Sequence, residues 1–319
     1  MTFKFKTTMR RRFIRQMAVL LGGAGLSINS IPAAAEAAEK PRQVLRFGIM
    51  ADLHHDLIKD GAQRLESFID EMNRQKPDFI IQMGDFCFPK PVNRPLMDTW
   101  NRFEGPKYHV IGNHDNDGGF THEQVIEFWN AKGKYYSFDV NGYRCIVLNG
   151  NERPPGDNSK GYPRSVLRAQ CDWLEKEIDT TGNPVLIFCH QGIDNDSDGV
   201  KEGIYLRLLF ENANKKAGWQ KVRAVFSGHH HEDYMNTYNN IHYVQINSMS
   251  YQFNHLKDGY SFNQPKDALY ALVSLDSKGT MHIKGRQSEH MTQLSAAELE
   301  DWKGYATTPV ISDRVIKMG

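Results

Sequence analysis

Five short clusters rich in His, Asp and Asn punctuate the 319-residue chain: Asp52-Leu53-His54, Gly84-Asp85, Gly112-Asn113-His114-Asp115, His190 and Gly228-His229-His230-His231. Together they offer enough imidazole, carboxylate and amide-oxygen ligands for two divalent cations, with one His to spare. No thiolate belongs to the set, which argues against a closed structural zinc and suits Mn, Fe or Zn. Two cations sharing a carboxylate can generate a hydroxide at neutral pH and clamp a phosphoryl oxygen, which is the chemistry of phosphate-ester hydrolysis.

The clusters need elements that bring them together. Val44–Met50, Phe79–Met83, Tyr108–Ile111, Val185–Cys189 and Val222–Ser227 are apolar, β-rich runs, and each ends at one of the five clusters. In open α/β sheets the loops at strand C-termini converge on one edge, so residues spread over about 180 positions can meet in a single pocket. Between the strands, the spacing of Leu65, Phe68, Ile69 and Met72 predicts a helix over Arg64–Arg74 closed by Pro77. Thr121-His122-Glu123-Gln124 is a capping-box pattern that starts a helix to Trp129. Asn141-Gly142 predicts a hairpin joining Tyr135–Val140 to Tyr143–Leu148. A helix around Ser165–Ile178 follows, and Tyr234 to Ile283 reads as further strands with turns at Asn239-Asn240 and Ser277-Lys278-Gly279. No repeat or linker interrupts the pattern, so one domain is expected from residue 40 to 319.

Any one cluster alone is weak, because a His beside a Gly at a strand end is usually a turn residue. The ordered series D-x-H, G-D, G-N-H-D, H, G-H-x-H resembles the calcineurin-like metallophosphoesterase superfamily over Val44 to His231. That resemblance implies a four-layer α/β/β/α sandwich with two mixed β-sheets. It places Asp52, His54 and His231 on a first metal, Asn113, His190 and His229 on a second, and Asp85 between them. His114 becomes the acid that protonates the leaving oxygen, and the cofactors are two divalent or mixed-valence ions of Mn, Fe or Zn. Attack by a metal-bound hydroxide would then hydrolyse the ester. Asp115 is expected to accept main-chain hydrogen bonds in its loop, and His55 and His230 to stand beside ligands without binding metal.

Two departures from the resemblance stand out. Phe88 occupies the position, three residues after the bridging Asp, where relatives carry an Asp that orients the catalytic His or a Tyr that binds ferric iron. His114 therefore lacks its usual partner, and Asp56 or Asp98 are the candidates to replace it. Gln191 follows His190 where relatives often carry another His.

The N-terminus reads as an address. Arg10-Arg11-Arg12-Phe13-Ile14-Arg15, the apolar stretch Met17–Ile28 and the small residues around Pro32–Ala37 form a secretory signal that resembles the twin-arginine type. The apolar stretch is broken by Gly22-Gly23 and falls short of the roughly 20 residues a membrane span needs. Residues 1–37 are thus expected to be removed after passage through the twin-arginine translocase, leaving an exported, periplasmic or extracellular protein without a membrane span. The whole chain has 39 basic and 38 acidic residues; removal of residues 1–37 takes away six basic residues and one acidic, leaving 33 and 37. A net charge near −4 excludes the electrostatic footprint of a nucleic-acid binder. Cys87, Cys145, Cys171 and Cys189 form no C-x-x-C pair; the apolar, strand-like runs around Cys145 and Cys189 favour buried free thiols, with one disulfide open to an exported protein.

The resemblance implies a small phosphoester as substrate. A phosphodiester or pyrophosphate is favoured, because Gly285-Arg286 and Asp313-Arg314-Val315 loosely resemble manganese-dependent ADP-ribose/CDP-alcohol diphosphatases. A phosphomonoester is the alternative, and a non-catalytic metal- or phospholigand-binding protein is a rival of another class. The loops Asn151–Arg164 and Asp194–Gly199 are the candidates for choosing substrate, with Arg153, Arg164, Asn116 and Tyr251 as residues that could face a ligand, although ordinary loop roles are the default for each.

Overall fold

The computed structural model describes residues 43–195, 197–256, 259–292 and 308–318, so the expected export segment lies outside the described residues. The chain runs β1 (Gln43–Met50), α1 (Gly61–Gln75), β2 (Phe79–Gln82), α2 (Arg94–Asn101), β3 (Lys107–His109), α3 (His122–Trp129), β4 (Tyr136–Val140), β5 (Tyr143–Leu148), α4 (Arg168–Thr180), β6 (Val185–Cys189), α5 (Gly203–Ala217) and β7 (Val222–Ser227). It continues through β8 (Met235–Tyr238), β9 (Ile241–Gln245), β10 (Gln252–Leu256), β11 (Gly259–Asn263), β12 (Ala271–Asp276), β13 (Thr280–Lys284) and β14 (Arg314–Lys317).

These strands build two six-stranded sheets, ordered β14-β13-β12-β1-β2-β3 and β4-β5-β6-β7-β9-β8, plus the hairpin β10-β11. Both are mixed. The first is parallel across β1-β2-β3 and antiparallel beyond; the second is parallel across β5-β6-β7-β9 and antiparallel at its edges. The parallel strands read as unbroken apolar runs because they are buried on both faces. Between the sheets, Phe47 stacks on Phe79 at 4.9 Å and meets the edges of Phe188 and Phe226 at 5.7 and 5.5 Å. On the outside, Leu65, Phe68, Trp100 and Phe128 of α1, α2 and α3 cover the first sheet. Leu174, Ile178, Leu206 and Phe210 of α4 and α5 cover the second. The result is the four-layer α/β/β/α sandwich, and each apolar side chain it buries contributes roughly 1.5–3 kcal/mol.

Most expected elements lie where their patterns place them. Thr121 and Gln124 exchange both capping-box hydrogen bonds, at 3.2 and 2.8 Å. Asn141 and Gly142 adopt φ of 47° and 81°, the two left-handed residues of a tight hairpin turn. The helix expected around Ser165 starts only at Arg168, because Leu167 is extended, with φ −73° and ψ 163°, and Val166 and Leu167 give their N–H groups to Glu202 and Glu152. Helices α2 and α5 and strand β14 were not expected from the pattern. All four cysteines are free and buried. Among the described residues no helix is long and apolar enough to cross a membrane.

Candidate metal centre

The five clusters follow β1, β2 and β3 of one sheet and β6 and β7 of the other, at the same edge of the sandwich. The turns that deliver them are sharp. Asp52, His54, Asp85, His229 and His231 all have positive φ, at 55°, 47°, 52°, 78° and 55°. Asp and His tolerate this region better than most side chains, yet such residues still store strain of about 1–3 kcal/mol and persist only where surroundings enforce them. Here Asp52 donates its N–H to the Gly84 carbonyl at 3.1 Å and His54 to the Asp85 carbonyl at 2.8 Å. The Asp52 carbonyl in turn accepts from the Ser248 and Ser250 hydroxyls at 3.0 and 2.7 Å.

The glycines beside the ligands are packing requirements. Gly84 has φ of 102°, and a Cβ there would lie 2.5 Å from His190 Nδ1. A Cβ on Gly112 would lie 2.2 Å from the Asp85 carboxylate. Asp115 binds the same two loops together, accepting N–H groups from Asp85, Phe86 and Gly112 at 2.9, 2.7 and 2.7 Å. Burial and the nearby Asp85 push its pKa well up, and the main-chain donors pull against them.

Seven side chains converge. Asp52, His54 and His231 present ligand atoms to one point, and Asp85, His190 and His229 to another. The Asn113 amide oxygen joins the second group, 3.0 Å from His190 Nε2. Asp85 spans both: His114 N–H occupies its Oδ1 at 2.8 Å, while Oδ2 lies 3.3 Å from His190 Nε2 and 3.6 Å from His54 Nε2. Asp52 receives the His229 N–H at 3.0 Å, tying the two sheets across the site.

The donor set fits cations. His190 and His231 each direct Nδ1 to a carbonyl, of Met83 and Tyr251, both at 2.7 Å. A carbonyl only accepts, so Nδ1 carries the hydrogen and Nε2 is left for the cluster, the arrangement metal-bound imidazoles favour. His54 and His231 bring their Nε2 atoms within 3.2 Å of each other, which a shared cation makes favourable. Burial holds His54 down to about 3 against the opposing pull of Asp85, so it is neutral. Burial also opposes charge on His190, but Asp85 outweighs it and pushes the pKa up to about 9. For Asp85, burial works against ionisation, and His190 beside it overrides this and holds the carboxyl well below its usual range.

His114 stands at the rim, its ring 5.2 Å from that of His54. Its Nδ1 meets Asp117 Oδ2 at 2.7 Å and the Tyr162 hydroxyl at 3.0 Å. Neither Asp56 nor Asp98 serves it: Asp56 accepts from Phe88 N–H and the Asn93 amide, and Asp98 is exposed on α2. Gln191 donates to Asn151 rather than facing the cluster. His55 packs on Gly61, and His230 bonds to Tyr234 and the Ser197 carbonyl. Arg153 staples its own loop through the Ser159 and Gly161 carbonyls, and Arg164 pairs with Asp198 at 3.2 Å. Asn116 donates to the Phe120 carbonyl, and Tyr251 is buried against His231 and His54. Arg314 donates to Asp233 and Asp313 accepts from Lys284, so this part of the tail serves its own packing. Asp117, one 3₁₀ turn beyond His114, was missed in favour of Asp56 and Asp98, although its three-residue spacing from His114 is a signal that could have found it; Tyr162 carried no such signal.

A cavity of about 430 Å³ opens over the cluster, lined by Asn113, His114, Lys160, Tyr162, His229 and Phe253. A second, of about 550 Å³, shares Asn113, Gly161 and Tyr162 with it.

Residues 45–233 match the model of the calcineurin-like phosphoesterase family. The chain is 29% identical to serine/threonine-protein phosphatase CPPED1 of Danio rerio, over 56% of this chain and 60% of that one. It thus spans about three fifths of the length of that relative. It is 24% identical to the 3′,5′-cyclic-nucleotide phosphodiesterase alr5338 of Nostoc sp., over 74% of this chain and 89% of that one. The structure of a dimetal phosphatase from Danio rerio superposes with a TM-score of 0.61 at 15% identity, covering 87% of this chain and 100% of that one. It has the same fold.

Proposed function

We propose that this chain, which belongs to the calcineurin-like phosphoesterase family, is a metal-dependent phosphoester hydrolase that cleaves phosphodiester or pyrophosphate bonds at a two-metal centre. Asp52, His54 and His231 would hold one cation, Asn113, His190 and His229 the other, and Asp85, which lies beside both groups, would be shared. Mn, Fe and Zn suit these ligands. Two such ions, when bound, supply Lewis-acid charge stabilisation and an activated water. Everything else is done by the chain. The left-handed turns fix the ligands before substrate arrives, and the His114 N–H to Asp85 Oδ1 bond keeps the bridging carboxylate from rotating. The imidazole of His114, at the mouth of the cavity, gives a proton to the leaving oxygen, a step worth about 10²–10⁴-fold.

The observation that carries the choice of bond is the charge on the rim. Around the two cavities Arg164 is paired with Asp198, Arg153 with Asp157 and Lys134 with Glu123, so Lys160 is set against Asp117 and little uncompensated positive charge lines the walls. A singly charged diester suits that balance better than a doubly charged monoester or pyrophosphate, so the diester is the first of the two proposed bonds, and the two adjoining cavities give room for both of its substituents. A phosphomonoester is the second reading, favoured by the likeness to a protein named as a serine/threonine phosphatase. After reconstitution with Mn, Fe or Zn, bis-p-nitrophenyl phosphate is expected to turn over faster than p-nitrophenyl phosphate; the reverse order selects the monoester.

We also propose that residues 1–37 direct twin-arginine export and are removed, leaving residues 40–319 as the catalytic domain outside the cytoplasm. The basic run, short apolar stretch and small residues support this. N-terminal sequencing of the mature protein is expected to begin near residue 38, and an intact N-terminus overturns it.

A further inference from the structure

We propose that Asp117 and Tyr162 are positioning residues that set the His114 imidazole for proton transfer, replacing the carboxylate that Phe88 cannot supply. The inference rests on the reading of His114 as the proton donor. Three polar groups meet within hydrogen-bond distance: His114 Nδ1 lies 2.7 Å from Asp117 Oδ2 and 3.0 Å from Tyr162 Oη, and the tyrosine hydroxyl donates to Asp117 at 3.1 Å. A carboxylate only accepts, so Nδ1 carries a hydrogen toward Asp117 and Nε2 is the ring nitrogen left to serve the cleft. The proton on Nε2 passes to the leaving oxygen as its bond to phosphorus breaks. The alcohol departs neutral, the imidazole is left neutral with its Nδ1 hydrogen in place, and Asp117 keeps its charge throughout.

Two separate pieces of chain hold the pair. Asp117 closes the 3₁₀ turn that carries His114, its N–H bonding to the His114 carbonyl at 3.0 Å. Tyr162 arrives on the loop from Asn151 to Arg164, a closed structure of its own. The loop's neck is joined where Glu152 N–H meets the Ser165 carbonyl at 3.0 Å. Its interior is stapled by Arg153, which donates to the carbonyls of Ser159 and Gly161 at 3.0 and 2.5 Å, the latter adjoining Tyr162. Tyr162 also stands where the two cavities adjoin, so the group that holds His114 faces the substrate path.

The test uses the metal-loaded full chain and a phosphoester series with leaving groups from p-nitrophenol through phenol to an alkyl alcohol, as diesters or monoesters according to which the wild type turns over. A poor leaving group needs the proton and a good one does not. Asp117→Asn is expected to lower kcat about 10- to 100-fold for the alkyl ester and under about threefold for the p-nitrophenyl ester, with KM and metal content unchanged. Tyr162→Phe is expected to fall the same way by about three- to tenfold, and Asp117→Glu to restore part of the alkyl-ester rate. His114→Ala in the same series separates the two layers of argument. A flat profile for His114→Ala removes the acid assignment and this proposal with it. A graded profile for His114→Ala with a flat one for Asp117→Asn, or loss of metal in Asp117→Asn, overturns the positioning role alone.

Discussion

The ligand cluster and the His114 rim differ in how their geometry is enforced. Asp52 and His190 have no exposed side-chain surface, whereas the side chains of His114 and Asp117 are 32% and 36% exposed. In the cluster, left-handed backbone is over-determined by main-chain hydrogen bonds between loops, and Asp52, Asp85, His190 and His231 each have a main-chain partner holding the side chain. At the rim, one carboxylate and one phenol from a surface loop do the holding. Buried charge survives only where opposite charge and hydrogen bonds surround it, so the cluster must be rigid. A proton donor that has to meet substrate and release product must keep one face open, so it relies on the loop.

Removing the shared carboxylate breaks the rigid half most severely. Asp85→Asn keeps the shape but withdraws the charge that both groups use, and it leaves His190 Nε2 only the more distant Asp52 carboxylate, at 3.9 Å. Activity is expected to fall at least about 10³-fold and metal content to drop below two ions per chain by elemental analysis. Retention of two ions at full occupancy would show that the cluster does not depend on the bridge. At the rim the reverse pattern is expected: His114→Ala keeps both ions and loses about 10²–10⁴-fold in kcat for poor leaving groups.

The same division governs what the sequence made legible. The ligand positions show in sequence because each must be a particular chemical type at a strand end, beside a glycine that admits the neighbouring loop, as at Gly84 and Gly112. Parallel strands such as β6 show as solid apolar runs. Helix α5 does not show: Ile204, Tyr205 and Leu208 are exposed on its outer side and blur the apolar stripe. Helix α2 is only eight residues long, although Pro95 near its start and the spacing of Leu96 and Trp100 fit a short helix. Tyr162 could not have been found, because its contact with His114, 48 residues away, depends on the path of a loop with no periodicity. In the tail, the partner of Arg314 is equally hidden from sequence: it donates to Asp233, 81 residues away.

A pH experiment sharpens the account of the buried half. Without metal, His190 is pushed up to about 9, with burial opposing charge and Asp85 more than compensating. A raised His stabilises the fold fully below its unfolded pKa of about 6.5 and loses that contribution as pH rises through 9. The metal-free protein is therefore expected to lose stability between about pH 6.5 and 9, read as a falling unfolding midpoint, while the loaded protein is not. Loading must displace the same proton, so apparent metal affinity rises up to about tenfold per pH unit over this window. Calorimetry in buffers of different ionisation enthalpy measures the proton released, and no release would mean that His190 is already neutral.

The smallest effect belongs to the outermost charges. Asp198 and Arg164 pair at 3.2 Å on the mouth of the cleft, with side chains 56% and 29% exposed. Exposed pairs contribute little to stability, so Asp198→Asn should leave the unfolding midpoint nearly unchanged. It removes a negative charge and frees the guanidinium, and both changes favour an anionic substrate. KM is expected to fall by about two- to fivefold, more for a doubly charged monoester than for a singly charged diester, with kcat unaltered. Because these groups face solvent, the gain should shrink as salt rises and the screening length drops from about 10 Å at 0.1 M to 3 Å at 1 M. A change in kcat or metal content instead would move Asp198 from the rim into the machinery behind it, and the division between a rigid centre and a loop-held entrance would no longer hold.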